Sequence, residues 1–352
     1  MCNGPLFKKI CLFAIPLMCS TMLQLLFNAA DIIVVGRFAG DNSLAAVGSN
    51  SSLINLLLNF FIGLSIGANV LAARYYGAHD KENMRKAVHT TMMLSIYSGI
   101  LMTIVGFIFA RPMLILMQTP PEVLDLATLY LRIYFLGITS TIIYNFGSSI
   151  LRAVGDTRRP MYFLIIAGVI NVILNLIFVI RFGWDVAGVA AATVISQTVA
   201  CILVVMCMVM DKGAIHLDIL SLKLHRAQVS LIFRIGVPAG LQGMMFSVSN
   251  IVIQSSVNLF GNVVMAGNAA AMNIEHFVYF AMNAFHHATI SFASQNYGAG
   301  NFKRILKILF IAQVCVIFTG FVLGATSYIF AAPLMGFFTP SPAVIELGAK
   351  ML

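Results

Sequence analysis

Residues 74–78 read Arg-Tyr-Tyr-Gly-Ala, and residues 295–299 read Gln-Asn-Tyr-Gly-Ala. The shift that carries position 74 onto position 295 also sets Arg111-Pro-Met-Leu114 against Ala332-Pro-Leu-Met335, and Pro121 against Pro342. With one residue of slack, Pro16 meets Pro238 and Asn28 meets Asn250. One offset therefore holds over most of two stretches of about 120 residues, which marks an internal repeat. Apolar helices give isolated matches by chance; a Tyr-Gly-Ala and two prolines at a single shift go beyond that. Six apolar spans separate corresponding points, an even number, so both copies run in the same direction. Parallel copies related by an axis along the membrane normal are the plan of some secondary transporters, with the substrate cavity between the halves. A duplicated channel or scaffold is the plainer alternative. Two similar halves able to rock around a shared site favour a transporter.

The composition agrees. Of 352 residues, 60% are hydrophobic and 9% charged, where an ordinary soluble domain is roughly 45–50% apolar and about 25% charged. So few charges exclude a soluble enzyme, a nucleic-acid binder and a disordered chain. A spanning helix needs about 20 mostly apolar residues. Nine complete candidates lie at roughly 10–35, 46–73, 87–110, 123–150, 161–180, 186–210, 232–260, 265–294 and 308–332, and a tenth begins near Val344. The expected fold is an all-α polytopic membrane protein of two parallel six-helix repeats, the second incomplete. Its expected parts are an N-terminal lobe over 1–210, a weakly amphipathic cytoplasmic link over 211–231, and a partial C-terminal lobe over 232–352. At the repeat offset the counterpart of Met210 would fall well past Leu352, so the chain is expected to be part of a twelve-helix protein.

With the N-terminus placed inside, sixteen of the 21 Lys and Arg fall in inner segments and only Arg37, Arg111 and Arg181 in outer ones. That bias orients a multi-pass protein with a cytoplasmic N-terminus. The net charge of +9 thus reports topology, not a nucleic-acid partner. Lys8-Lys9 precede an apolar run too long for a signal peptide, which is read as a retained span. The six cysteines form no Cys-x-x-Cys pair and read as reduced thiols, neither disulfides nor metal ligands.

An ionisable group inside a membrane costs about 2.5–3.5 kcal/mol on insertion scales and marks a functional site by default. Asp31 and Glu275 qualify. Ser20, Gln24, Asn28 and Asp31 are spaced 4, 4 and 3, so they share a helix face. Asn145 and Ser148 in span 4, Asn171 and Asn175 in span 5, and Thr193 and Gln197 in span 6 offer partners. One carboxylate among amide and hydroxyl oxygens suits Na⁺, or a proton held on the acid. The plainer reading is an interfacial Asp31 that is solvated or paired with Arg37. Asn268, Met272, Glu275, Tyr279, Met282 and His286 form a second stripe, spaced 4, 3, 4, 3 and 4. Polar, acidic, aromatic and thioether groups on one face suit the wall of a cavity for an amphipathic cation. The alternative is Glu275 as a structural strut paired with a basic group. Glu275-His276 and His286-His287 are nearly three turns apart, too far to converge on a metal. Arg132 is expected to snorkel outward or to pair with Asp125. Gly63 with Gly67, and Gly236 with Gly240, read as close-packing faces. No phosphate-binding loop, GxSxG or HExxH occurs, so neither enzymatic chemistry nor a cofactor is expected.

These residues resemble the multidrug and toxic compound extrusion (MATE) family, bacterial or archaeal branch. The likeness rests on Asn28-Ala-Ala-Asp-Ile-Ile-Val-Val-Gly-Arg37, the two Tyr-Gly-Ala elements, Leu151-Arg-Ala-Val-Gly-Asp-Thr-Arg-Arg-Pro160 and Asn171-Val-Ile-Leu-Asn-Leu-Ile-Phe178. The resemblance implies twelve helices in two lobes around a V-shaped cavity, in a prokaryotic plasma membrane. It implies export of organic, often cationic, compounds in exchange for Na⁺ or H⁺. It places the coupling ion at Asp31, with Asn171 and Thr193 as polar partners and Asn145 and Ser148 where the family has polar groups. Asn175 stands where many members carry a second Asp, and Phe246-Ser247 where many have a Glu. A flippase of lipid-linked sugars from the same superfamily is the competing reading, and a non-transporting scaffold a third. A flippase would need a more cationic interior than Asp31 and Glu275 against Arg132 provide. The expected partners are small organic cations or other amphipathic substrates and membrane lipid, with the protein a monomer.

Overall fold

Inside a bilayer each backbone N–H and C=O must be satisfied within its own segment, so apolar runs of this length fold as helices. The computed structural model describes residues 1–260, 262–336 and 342–352, and the described residues are helical with short connections. The helices are α1 (Leu6–Phe38), α2 (Asp41–Gly77), α3 (Lys81–Leu116), α4 (Pro121–Val154), α5 (Arg158–Asn175), α6 (Asp185–Met210), α7 (Arg226–Asn258), α8 (Asn262–Gly298), α9 (Phe302–Ile329), α10 (Ala331–Gly336) and α11 (Pro342–Met351). Among the described residues, eight helices are long and apolar enough to cross a membrane.

Local chemistry sets the breaks. Asp80 caps α3, accepting from the Asn83 backbone at 3.0 Å and from its side-chain amide at 2.7 Å. Those donors hold the Asp80 carboxyl below its usual range. Pro121 opens α4, where its missing N–H costs no bond. Gly155 ends α4 at φ 102°, a left-handed conformation that suits glycine.

The repeat is visible in the helices themselves. The shift that carries Arg74 onto Gln295 also carries Asp41 and Gly77, the two ends of α2, onto Asn262 and Gly298, the two ends of α8. It carries Lys81, the start of α3, onto Phe302, the start of α9, and Pro121, the start of α4, onto Pro342, the start of α11. α1 and α7 both have 33 residues.

We call the end where α1, α3, α5, α7 and α9 begin the N-terminal end of the bundle. The expected link over 211–231 is shorter than its sequence reading, because α7 already starts at Arg226. It also lies less freely on the surface. Ile215 and Leu217 are buried in a cluster with Met84, Leu151 and Met208. The Asp218 backbone N–H donates to His89 Nε2 at 3.2 Å. Of the larger apolar side chains in the link, Ile219, Leu220 and Leu224 stay exposed. Arg132 does not pair with Asp125. Arg111, at the end of α3, takes that carboxylate at 2.6 Å, and Arg132 lies over the Phe107 ring at 5.3 Å.

Between α2 and α7 the two small-residue faces meet each other. A Cβ on Gly240 would lie 2.7 Å from the Phe60 carbonyl oxygen, and one on Gly236 would lie 2.8 Å from Leu64 Cα. A Cβ on Gly67 would lie 2.8 Å from the Gly236 nitrogen. Without a hydrophobic drive between helices in lipid, such backbone approach supplies the packing. Replacing Gly240 by Leu should destabilise the fold by about 1–3 kcal/mol or more through overpacking. Gly48→Leu, where nothing lies within 4 Å of the new Cβ, should not. Thermal unfolding of the two variants in detergent checks the contrast.

Candidate functional site

Asp31 lies two turns before the end of α1, half-buried on the face turned to α5 and α6. Asn175, the last α-helical residue of α5, donates from Nδ2 to Asp31 Oδ1. The same Nδ2 lies 3.3 Å from Asn171 Oδ1. Asn171 in turn donates to Thr193 Oγ1 of α6 at 3.4 Å. The Thr193 hydroxyl also faces the Asp31 carboxylate. Asn175 is fully buried, and its own Oδ1 has no hydrogen-bond partner among the described residues. A buried acceptor left unpaired beside a carboxylate is costly unless something binds it. Three helices thus converge on one acid and an open amide oxygen.

Two neighbours of this cluster escaped the sequence reading. Directly after Asn175 the chain widens into a π-helical turn over Leu176–Arg181, a distortion frequent at functional sites. Buried Tyr130 of α4 lies within electrostatic reach of Asp31 and stacks on Tyr134 at 6.4 Å between ring centroids. The i, i+4 spacing of Tyr130 and Tyr134 was the available signal, and apolar surroundings on both sides hid it.

Asn145 and Ser148 do not join the cluster. At 1.5 Å per residue they lie about 22 and 27 Å along α4 from Tyr130. Asn145 donates to its own helix at Thr141 O, 2.9 Å away, and Ser148 is buried beside Tyr144. α4 runs antiparallel to α1, so residues late in α4 stand level with the start of α1. Gln24 and Asn28 are exposed on α1, with no hydrogen bond to Asp31. Arg37 is exposed and does not pair with Asp31 among the described residues.

The α8 stripe splits. Glu275 and His286 are exposed, and Tyr279 stacks on Phe246 of α7 at 5.7 Å with 11° between ring planes. Asn268 donates to Gln254 Oε1 at 3.1 Å and approaches Met272 Sδ at 3.3 Å. Met282 faces α9 instead, its Sδ 3.2 Å from where a Cβ on Gly320 would sit. At about 100° per residue Asn268 and His286 point the same way, while Met272 and Met282 lie about 40° to either side of them. The stripe is an arc of about 80°, and Met282 on one edge of it meets α9. Glu275 has no ion pair, and no metal-binding cluster exists, among the described residues.

The described hydrogen bonds, ring pairs and glycine contacts joining α1–α6 to α7–α11 all lie between mid-bundle and the N-terminal end. The farthest from that end is Asn59 Nδ2 to Ser247 Oγ, 2.8 Å. Nearer it, Ser291 Oγ donates to Asn69 Oδ1 at 3.0 Å and Gln295 Nε2 to Ala153 O at 2.6 Å. Phe13 meets Phe292 edge to face at 5.6 Å. Asp31 stands towards the other end, beyond this seam. A cavity of about 650 Å³ at the N-terminal end, lined by Lys9, Arg158, Arg159 and Asp211, contains none of the expected site residues.

Known proteins share this architecture. A family model described as MatE matches residues 16–177 and 238–352. The chain is 30% identical over 353 residues to the Probable multidrug resistance protein YoeA of Bacillus subtilis, covering 98% of this chain and 76% of that one. It is 22% identical to the Multidrug export protein MepA of Staphylococcus aureus, over 99% of this chain and 77% of the relative. A solved outward-facing conformation of a multidrug resistance MATE family transporter of the MOP superfamily superposes with a TM-score of 0.92 at 25% identity. That match covers 99% of this chain and 78% of the solved one.

Removing the Asn175 amide should expose the dependence of Asp31 on it. Asn175→Ala should cost about 1–3 kcal/mol, the penalty for stranding a buried polar partner. The cost should shrink in an Asp31→Asn background. A double-mutant cycle of thermal unfolding in detergent reads the coupling, and purely additive effects would count against the pairing.

Proposed function

The chain belongs to the MatE family of multidrug efflux transporters, and on that premise we propose that it is a secondary active antiporter. It exports organic, often cationic, compounds in exchange for Na⁺ or H⁺ by alternating access. The observation that carries this reading is the buried Asp31–Asn175–Asn171–Thr193 cluster with its unpaired Asn175 Oδ1. Hard cations take oxygen ligands. A carboxylate, two amide oxygens and a hydroxyl brought together by α1, α5 and α6 supply them. A proton fits the same place: protonated Asp31 donates a hydrogen bond, and the unpaired Asn175 oxygen accepts one. Either ion neutralises a charge that the low-dielectric interior disfavours, so loading changes which packing of α1 is stable.

Residues 1–210 and 226–352 act in this reading as two lobes joined by the link. Gln24 and Asn28 on α1, and Met272, Glu275, Tyr279 and His286 on α8, face the substrate route. Met282 supports it from the α9 side. With the N-terminal end cytoplasmic, as the charge bias indicates, contacts confined to that end correspond to a state open outward. The likeness to an outward-facing MATE transporter supports the same assignment. The acids Asp31 and Glu275 favour cationic cargo over the pyrophosphate-linked sugars of a flippase. The protein works as a monomer in the plasma membrane.

Asp31→Asn should abolish cation-driven efflux from proteoliposomes while insertion and folding persist. Efflux of a fluorescent organic cation, driven separately by Na⁺ and by pH gradients, measures this and identifies the coupling ion. Unchanged efflux would remove Asp31 from the mechanism.

A further inference from the structure

The repeated Tyr-Gly-Ala motif has no part in the ion cluster, yet its two copies touch each other. A Cβ on Gly77 would fall on the Gln295 carbonyl oxygen, and a Cβ on Gly298 would fall on the Arg74 carbonyl oxygen. Gln295 and Arg74 are themselves repeat-related, so the contact is reciprocal: each motif's glycine receives the first residue of the other. Arg74 completes the crossing by lying over the Tyr297 ring at 5.0 Å. Around it sit buried amides joined across the seam. Asn69 accepts from Ser291 and donates to Ser149 O at 2.7 Å, and Gln295 donates to Ala153 O. Asn69, Ser291 and Gln295 are each at most 5% exposed.

We propose that the paired Tyr-Gly-Ala motifs are the gate that seals the N-terminal end, closed by backbone contact at Gly77 and Gly298 and latched by Asn69–Ser291 and Gln295–Ala153. The proposal rests on the alternating-access reading above and names the residues that set which side is open. Gly63 and Gly67 against Gly240 and Gly236 form the fulcrum. Gly77 lies roughly four turns beyond Gly63, about 21 Å along α2, so a small rotation at the fulcrum parts the motifs widely. Parting them also breaks the hydrogen bonds that Asn69 and Gln295 make across the seam when the gate is shut. The closed state therefore depends on two positions with no side chain and on a latch that breaks as a unit. Asn69 and Gln295 are positioning residues: they touch neither ion nor cargo and act through the equilibrium between the two openings.

Spin labels introduced as unnatural amino acids at Lys81 and Lys303, exposed residues just after each motif's turn, read the gate by pulsed dipolar spectroscopy in lipid. The native chain should give a single short distance. Gly77→Val and Gly298→Val should convert the open form from a minor state of roughly 0.1–10% into the main, longer-distance population. Gly324→Val, on open space in α9, should leave the distribution unchanged. Folded Gly77→Val and Gly298→Val proteins that keep the short distance would overturn the proposal. Should the valine variants fail to fold, Asn69→Ala combined with Ser291→Ala decides, since it removes the latch without adding volume. It should enlarge the longer population several-fold, and an unchanged distribution overturns the latch. The readout needs no cargo, so a distance shift in a protein that exports nothing supports the gate and counts only against antiport.

Discussion

α2 meets the second copy through backbone, and the rest of the assembly is arranged around that contact. Gly63 and Gly67 rest on α7, and Gly77 rests on α8, with no side chain between. In lipid, helices gain little from burying apolar surface against each other, because acyl chains solvate leucine as well as another leucine does. Close backbone approach is what remains, and only residues without a Cβ allow it here. The same contacts decide where polar groups can hide. Asn59, Asn69, Ser291 and Gln295 line the seam that the glycines bring together, and each finds a partner because the backbones are close enough for short side chains to reach.

The bilayer imposes the complementary rule on Asp31. A carboxylate well inside an apolar helix must meet donors on its neighbours or draw a cation from the cavity. α5 supplies Asn171 and Asn175 one turn apart, and α6 supplies Thr193. The cluster is nearly closed by its own hydrogen bonds, with one amide oxygen over. In the proposed antiporter this oxygen set would take the small ion without a dedicated cage, and its occupancy would bias the packing of α1 against α5. Ion loading and helix packing would then be two views of one equilibrium.

Much of this was legible in the sequence, for reasons that differ by residue. Spans follow from where apolar runs stop, so the helix order emerged nearly intact. Gly63, Gly67, Gly236 and Gly240 were readable as packing faces because a small-xxx-small spacing has one structural meaning on a helix. Asp31, Asn171, Asn175 and Thr193, which the structure brings together, could be grouped because polar residues inside apolar runs are rare enough to be matched by type. Asn145 and Ser148 were matched the same way and misplaced, since type carries no depth: in an antiparallel neighbour the position along the helix must be counted from the opposite end. Met282 differs for another reason: it lies about 40° off the line through Asn268 and His286, on the edge of the stripe that meets α9, and spacing alone does not say where one wall ends. The burial of Ile215 and Leu217 depended on a cluster contributed by several helices, which a weakly amphipathic link does not announce.

Where the copies agree and where they differ correspond to different tasks. Tyr-Gly-Ala is kept at the one offset, and those are the residues that meet each other. Aligned by the register that pairs Asn28 with Asn250, Asp31 meets Ile253, an exposed aliphatic residue. A contact across a pseudo-two-fold axis needs the same small residue on both sides, since either Cβ alone would block it. A charge has the opposite requirement. A carboxylate inside an apolar helix needs donors placed for it alone, and α5 and α6 place Asn171, Asn175 and Thr193 around Asp31.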